Sequence, residues 1–181
     1  TIAQFEPVNM LAPKRHLAQA RSLLGSGVEL IEMSIDDSWA RDSGPNFLVN
    51  ERGELAGSTW TFNAWGENYD PYDQDALMGQ RILARLGLPH FESPLVCEGG
   101  AVTVDGEGTI ITTETCVLNT NRNPGWTRDQ VSDELCRTLG AEKVIWLYGD
   151  PFEDETNGHV DGIAAFIEPG RVLFEIIDDT E

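Results

Sequence analysis

Gly158-His159-Val160-Asp161 places an imidazole two residues ahead of a carboxylate, with the apolar run Ile163 to Ile167 behind it. In an extended segment, residues i and i+2 point to the same face. His159 and Asp161 can then present an acid–base group and an anion to one pocket. An imidazole exchanges protons near neutral pH, and a carboxylate grips a cation through charge-assisted hydrogen bonds. The pair suits a cationic substrate that gains or loses protons. A lone H-x-D is also compatible with two polar residues solvating the start of a strand. What decides between these is whether other chemistry-bearing residues are brought to the same place.

Two further acids, Asp42 and Glu98, sit in the same local plan as Asp161. Asp42 precedes Ser43-Gly44-Pro45 and a hairpin from Phe47 to Trp60, turning at Asn50 to Glu54. Glu98 precedes Gly99-Gly100 and a hairpin from Ala101 to Thr113, turning on Asp105-Gly106, a strong short-range hairpin signal. Asp161 precedes a third, from Ile163 to Ile177, turning at Pro169-Gly170. Helical patterns lie between the hairpins. Ala12 to Leu24 carries Pro13 in its first turn. Asp73 to Leu86 spaces Met78, Ile82 and Leu86 on one face and stops at Gly87. Thr127 to Leu139 opens with the capping box Thr127-x-x-Gln130 and stops at Gly140. Each leads into a strand: Val28 to Ile35, Leu95 to Cys97, and Val144 to Leu147.

The order is helix, strand, hairpin, three times over, and self-similarity of this kind signals a repeat architecture. Each unit reads ββαβ and is too short to bury its own core. In a ring of such units the strand-to-hairpin junctions meet at one end of the axis. Asp42, Glu98, His159 and Asp161 would then converge. An ordinary mixed α+β sheet with unconnected acids is the competing arrangement.

Composition bounds the function. At 181 residues and 40% hydrophobic content, the chain can build one core as a single domain fragment, residues 1–181. The balance of 12 basic against 31 acidic residues, −19 in all, excludes phosphate-rich nucleic acid as a partner. It suits a cationic ligand drawn by the summed field, and it also serves solubility. No apolar run approaches the roughly 18 residues of a membrane span, so a cytoplasmic location and no membrane partner are expected. Thr1 to Phe5 reads like the middle of a strand, and Asp178 to Glu181 stops just past a hairpin. A longer protein is expected, with a first hairpin and final units outside this chain. The non-periodic stretch Thr61 to Pro71 has the make-up of a functional loop. Cys97, Cys116 and Cys136 give neither a disulfide framework nor a zinc site. Cys116 and Cys136 are expected in the core. Cys97 faces away from any pocket that Glu98 faces. His16 and His90 are expected on the surface.

Seven segments, taken in order, resemble agmatine deiminases: Phe5-Glu6-Pro7-Val8, Asp36 to Pro45, Phe62-Asn63-Ala64-Trp65-Gly66, Glu98-Gly99-Gly100, Val104 to Thr109, Asn119 to Pro124, and Gly158-His159-Val160-Asp161. The wider group includes bacterial peptidyl-arginine deiminases, within the pentein or α/β-propeller superfamily. The resemblance implies an α/β fold of five pseudo-symmetric ββαβ units around a central site, with about three present here as a partial propeller. It implies hydrolysis of agmatine to N-carbamoylputrescine and ammonia through a covalent cysteine thiouronium, a step of polyamine metabolism and putrescine biosynthesis. The nucleophilic cysteine would lie beyond this chain. Asp42 and Asp161 match the clamping carboxylates, Glu98 a further acidic position that orders the guanidino group or its neighbours, and His159 the general acid–base. Trp39 would line the pocket or pack in the core. Arg41 would hold its loop by pairing with an acid, and Asn121 to Pro124 would form a loop capping the next helix. No metal or cofactor is implied, and a homodimer is compatible. Gly162 stands where many agmatine deiminases carry Asn, which keeps a peptidyl-arginine deiminase open. A non-catalytic guanidine-binding module is the alternative of another class.

Overall fold

The computed structural model describes residues 2–176. It contains two complete ββαβ units. In the first, β3 (Asn46–Val49) pairs antiparallel with β4 (Leu55–Thr61), and β4 pairs parallel with β5 (His90–Val96). In the second, β6 (Val102–Val104) pairs antiparallel with β7 (Thr109–Thr113), and β7 parallel with β8 (Lys143–Leu147). The crossover helices are α4 (Met78–Leu86) and α6 (Arg128–Leu139), as a parallel connection demands. Ahead of them, β1 (Val8–Ala12) and β2 (Val28–Glu32) pair in parallel around α1 (Leu17–Leu23). Behind them, β9 (Ala164–Glu168) and β10 (Arg171–Phe174) form an antiparallel hairpin. Four small sheets result, none closed on itself among the described residues.

Local chemistry accounts for these elements. The Thr127 hydroxyl accepts from Gln130 N–H while the Gln130 side chain accepts from Thr127 N–H. α6 is thereby capped at its start, and it ends at Gly140 in the left-handed region. Asp105 Oδ1 accepts from the backbone of Glu107 and Thr109, closing the β6–β7 turn. Those amides hold its carboxyl below the ordinary range.

The core lies between the units. Val131 and Leu135 of α6 are buried with Leu95, Ala101, Val102, Ile110 and Val117, and Trp60, Trp126 and Trp146 close its edges. α6 thus packs on β5 of the preceding unit as well as on β8 of its own. Neither unit could bury these residues by itself.

Several boundaries differ from expectation. Ile2–Gln4 forms a 3-10 turn rather than a strand. The second strand ends at Glu32, and β5 begins at His90 rather than Leu95. α4 begins at Met78 because Asp73 to Leu77 is engaged elsewhere. The Asp75 carboxylate accepts from Asp36 and Asp37 N–H at 2.9 Å each, and Asp36 Oδ2 accepts from Gln74 N–H. The segment is thereby tied to the loop ahead of Asp42, and its own amides close turns, Ala76 N–H on the Tyr72 carbonyl and Leu77 N–H on the Gln74 carbonyl. The last strand ends at Phe174; Ile177 and Asp178 to Glu181 lie outside the described residues.

Candidate active site

Each strand-to-hairpin junction is built on one short helical turn. These are α2 (Ala40–Ser43), the 3-10 turn Gly99–Ala101 and the 3-10 turn Val160–Gly162. The first packs on the second and the second on the third. Asp42, Glu98, His159 and Asp161 are thereby brought together.

Gly100 marks the meeting point. A Cβ built there would lie 2.4 Å from His159 Nδ1, 2.8 Å from Asp161 Oδ2 and 3.0 Å from Asp42 Oδ1. Only a residue without a side chain lets these three groups approach. The Gly100 amide donates to Asp42 Oδ1 at 2.7 Å, and Trp65 Nε1 donates to Asp42 Oδ2 at 3.0 Å. Asp42 is half-buried and held in one orientation from both sides.

His159 is buried, with Nε2 turned to Glu98 Oε2 at 3.3 Å and Nδ1 4.0 Å from Asp161 Oδ1. Nδ1 therefore faces Gly100 and the carboxylates, while Nε2 is occupied by Glu98. The Asp161 side chain is 53% exposed in this chain. The cleft beside Asp42 is a different one. It is lined also by Thr59, Phe62, His90 and Cys97, and not by Glu98, His159 or Asp161.

Glu98 is fully buried. Both its oxygens accept from Arg122 Nε, at 2.9 and 3.1 Å. Arg122 is the residue that sequence reasoning missed. The Asn121-Arg122-Asn123-Pro124 loop does not cap the next helix; Thr127 does. Arg122 and Asn123 are instead buried. The Asn123 side chain bonds Val96 N–H, Val96 C=O and Val117 C=O, fixing the strand end that carries Glu98. The available signal was an arginine flanked by two asparagines, a combination able to fill many acceptors at once. Nothing local named their partners.

The segment leading to His159 is closed by Glu153. Its carboxylate accepts from the amides of Glu155, Thr156 and Gly158 and from the Thr156 hydroxyl. Burial pushes its acidity toward the neutral form, but these bonds outweigh it and hold the group below the ordinary range. The His159 amide donates to Thr156 Oγ1, and Thr113 Oγ1 donates to Gly158 C=O. Position and orientation of His159 are fixed from both strand and loop.

The loop Thr61 to Pro71 joins these parts. Ala64, Trp65 and Glu67 hold positive φ of 55°, 58° and 66°, conformations that cost about 1–3 kcal/mol each for non-glycine residues. Within it, Trp65 reaches Asp42, Asn63 donates to Asn121 C=O, and Asn68 donates to the carbonyls of Asp154 and Glu155. Strain is held where it fixes a carboxylate.

Of the other expectations, the surface position of His16 and the core position of Cys116 stand, and the rest are corrected in part. Arg41 holds its loop through the Gly99 carbonyl, at 3.2 Å, rather than through an acid. Trp39, at the start of α2, is 59% exposed and is not a core residue. His90 is half-buried, bonded to Thr59 Oγ1 at 2.7 Å and 3.7 Å from Glu92, whereas His16 is exposed. Cys97 and Cys116 are buried and Cys136 half-buried. Burial, then the charge of Glu98, pushes the Cys97 and Cys116 thiols well up. Burial also raises Cys136. A nucleophile must be a thiolate, and none of the three is poised to become one.

The sequence pattern described as Porphyromonas-type peptidyl-arginine deiminase matches residues 1–181. The agmatine deiminase of Pseudomonas syringae pv. tomato is 45% identical over 186 residues, covering 99% of this chain and 50% of that protein. The solved agmatine deiminase of Enterococcus faecalis superposes with a TM-score of 0.94 at 41% identity, over 99% of this chain and 50% of that one. An agmatine deiminase of C. jejuni solved with substrate bound superposes with a TM-score of 0.87 at 28% identity, over 99% and 54%. The chain spans about half the length of the curated relatives it matches. The family pattern runs through every element that builds the cluster, and the chain belongs to the Porphyromonas-type peptidyl-arginine deiminase family.

Proposed function

We propose that the complete polypeptide containing these residues is an agmatine deiminase, hydrolysing the guanidino group of agmatine to N-carbamoylputrescine and ammonia. The observation that carries this is the meeting of Asp42, His159 and Asp161 around Gly100, with Glu98 bonded behind the imidazole. A guanidinium is planar and spreads its charge over three nitrogens, so its carbon is a poor electrophile. Two carboxylates can grip its N–H edges and fix the plane. Asp42 and Asp161 are the clamp, and Trp39 at the rim is a wall for the alkyl chain. A cysteine thiolate from outside these residues adds to the guanidino carbon. His159 Nδ1 gives a proton to the departing ammonia, leaving a covalent thiouronium. The imidazole then takes a proton from water as water adds to that carbon, and the adduct gives up its remaining hydroxyl proton to the ammonia or to solvent as the carbonyl forms and the thiolate leaves. Glu98 keeps the ring in place throughout.

The same proposal extends to architecture. Two complete ββαβ units flanked by parts of two others fit a larger ring of five, a pentein propeller with the site on its axis. Agmatine deiminases superposing over half their own length support that extension. A peptidyl-arginine deiminase is the second candidate, favoured by the family's description. A cytoplasmic location fits a small-molecule hydrolase of this kind.

The test is direct. The 181-residue chain alone should release no ammonia from agmatine beyond background, whereas the complete polypeptide should. Turnover by the 181-residue chain that disappears in Cys97→Ser would show that the nucleophile is Cys97 and that the mechanism above is wrong.

A further inference from the structure

We propose that Arg122 is a positioning residue for His159, acting through Glu98 and through the loop that delivers the histidine. This rests on the agmatine deiminase function argued above. The Arg122 side chain is completely buried. Its Nε is shared between both oxygens of Glu98. Nη1 donates to Asn121 Oδ1 and Asn157 Oδ1, and Nη2 to the Thr156 carbonyl at 2.8 Å. One guanidinium therefore fixes two things at once. It orients the carboxylate that holds His159 Nε2, and it pins residues 156 and 157, immediately before His159.

Asn157 has a positive φ of 63°, a conformation that needs outside support. That support is the pair of bonds to its side-chain oxygen, from Arg122 Nη1 and from Asn121 Nδ2. A lysine in place of Arg122 supplies the charge but not the planar fork, and cannot serve Nε, Nη1 and Nη2 partners together.

The charged and titratable groups facing His159 are Glu98 at 3.3 Å, Asp161 at 4.0 Å and Asp42 across Gly100. Cys116 Sγ lies 3.9 Å from Glu98 Oε2, and Arg122 stands beyond Glu98. Arg122 is the only cation in this set, and it balances the carboxylate nearest the ring. Removing it leaves the Glu98 carboxylate without the bonds that orient it behind the ring.

The experiment uses the complete polypeptide with wild type, Arg122→Lys, Arg122→Gln and Asn157→Ala. Steady-state kinetics on agmatine are normalised to folded protein. Histidine-labelled protein gives the His159 ring nitrogen signals by NMR. Arg122→Lys should lower kcat at least tenfold with KM changed less than threefold. Arg122→Gln should lower kcat at least tenfold and shift the His159 ring nitrogen signals. Asn157→Ala, which keeps the ion pair, should lower kcat severalfold. Unchanged His159 ring signals and unchanged kcat per folded site in Arg122→Gln, with only thermal stability lost, would overturn the proposal. If Arg122→Gln does not fold, Arg122→Lys and Asn157→Ala decide it by the same kcat criterion. Absence of agmatine turnover in wild type would refute the function instead, and the ring signals would still test the positioning role.

Discussion

Gly100→Ala should cost the complete polypeptide on the order of a hundredfold or more in kcat/KM for agmatine, because a displacement of about 1 Å at a reacting group is enough for such a loss. The added methyl would need to sit 2.4 Å from His159 Nδ1, 2.8 Å from Asp161 Oδ2 and 3.0 Å from Asp42 Oδ1. All three must retreat, or the Gly99–Ala101 turn must move off α2. The second course breaks the Gly100 amide's bond to Asp42 Oδ1 and the bond from Arg41 Nε to the Gly99 carbonyl. Strain in such a packed place costs about 1–3 kcal/mol of stability, less than the about 5–15 kcal/mol by which folded domains are ordinarily stable. The variant should therefore fold and turn over slowly. Activity within threefold of wild type would mean that the three side chains do not meet during catalysis.

The second large effect is on stability. Glu98→Gln keeps the shape of the side chain but leaves the buried Arg122 guanidinium without its anion. Removing one partner of a buried pair costs about 3–5 kcal/mol, far more than the net worth of the pair itself. Chemical denaturation should show a loss of that order, and Glu98→Gln combined with Arg122→Gln should recover part of it. The two positions are coupled, so their separate losses should not add. A loss under about 1 kcal/mol in the single variant would show that water or another anion reaches Arg122.

Much of this molecule was legible in its sequence, and the gaps have a common physical cause. The Thr127 capping box, the Asp105-Gly106 turn and the stop at Gly140 stand as expected, because each depends on neighbours within four residues. The ββαβ order followed from periodicity switching between strand and helix. The nearness of Asp42, Glu98, His159 and Asp161 followed from the equivalence of their junctions. Arg122 did not, because its partners are Glu98, Asn157 and Thr156, far away along the chain and matched by geometry rather than by spacing. Trp65 on Asp42 was hidden for the same reason. Gly99-Gly100 reads as the lead into a hairpin, and only the packed junctions reveal it as the floor of the site. The first turn of α4 was misplaced because Asp75 is drawn to the Asp36 and Asp37 amides, a tertiary demand that outweighs helix propensity.

The acidity of the chain bears on what the site accepts. Agmatine carries a cation at each end, while free arginine adds a carboxylate beside its amine. In the proposed enzyme, Asp42 and Asp161, within a chain of net charge −19, would attract the first and repel the added anion of the second. The most direct measurement is the steady-state kinetics of the complete polypeptide on agmatine, free arginine and a blocked peptidyl-arginine, with wild type beside Asp161→Asn. Agmatine should be preferred over free arginine by on the order of a hundredfold or more in kcat/KM, it should also be turned over better than the peptide, and Asp161→Asn should lose most of that activity. Equal or better turnover of the peptide, or full activity in Asp161→Asn, would contradict a carboxylate clamp built for agmatine.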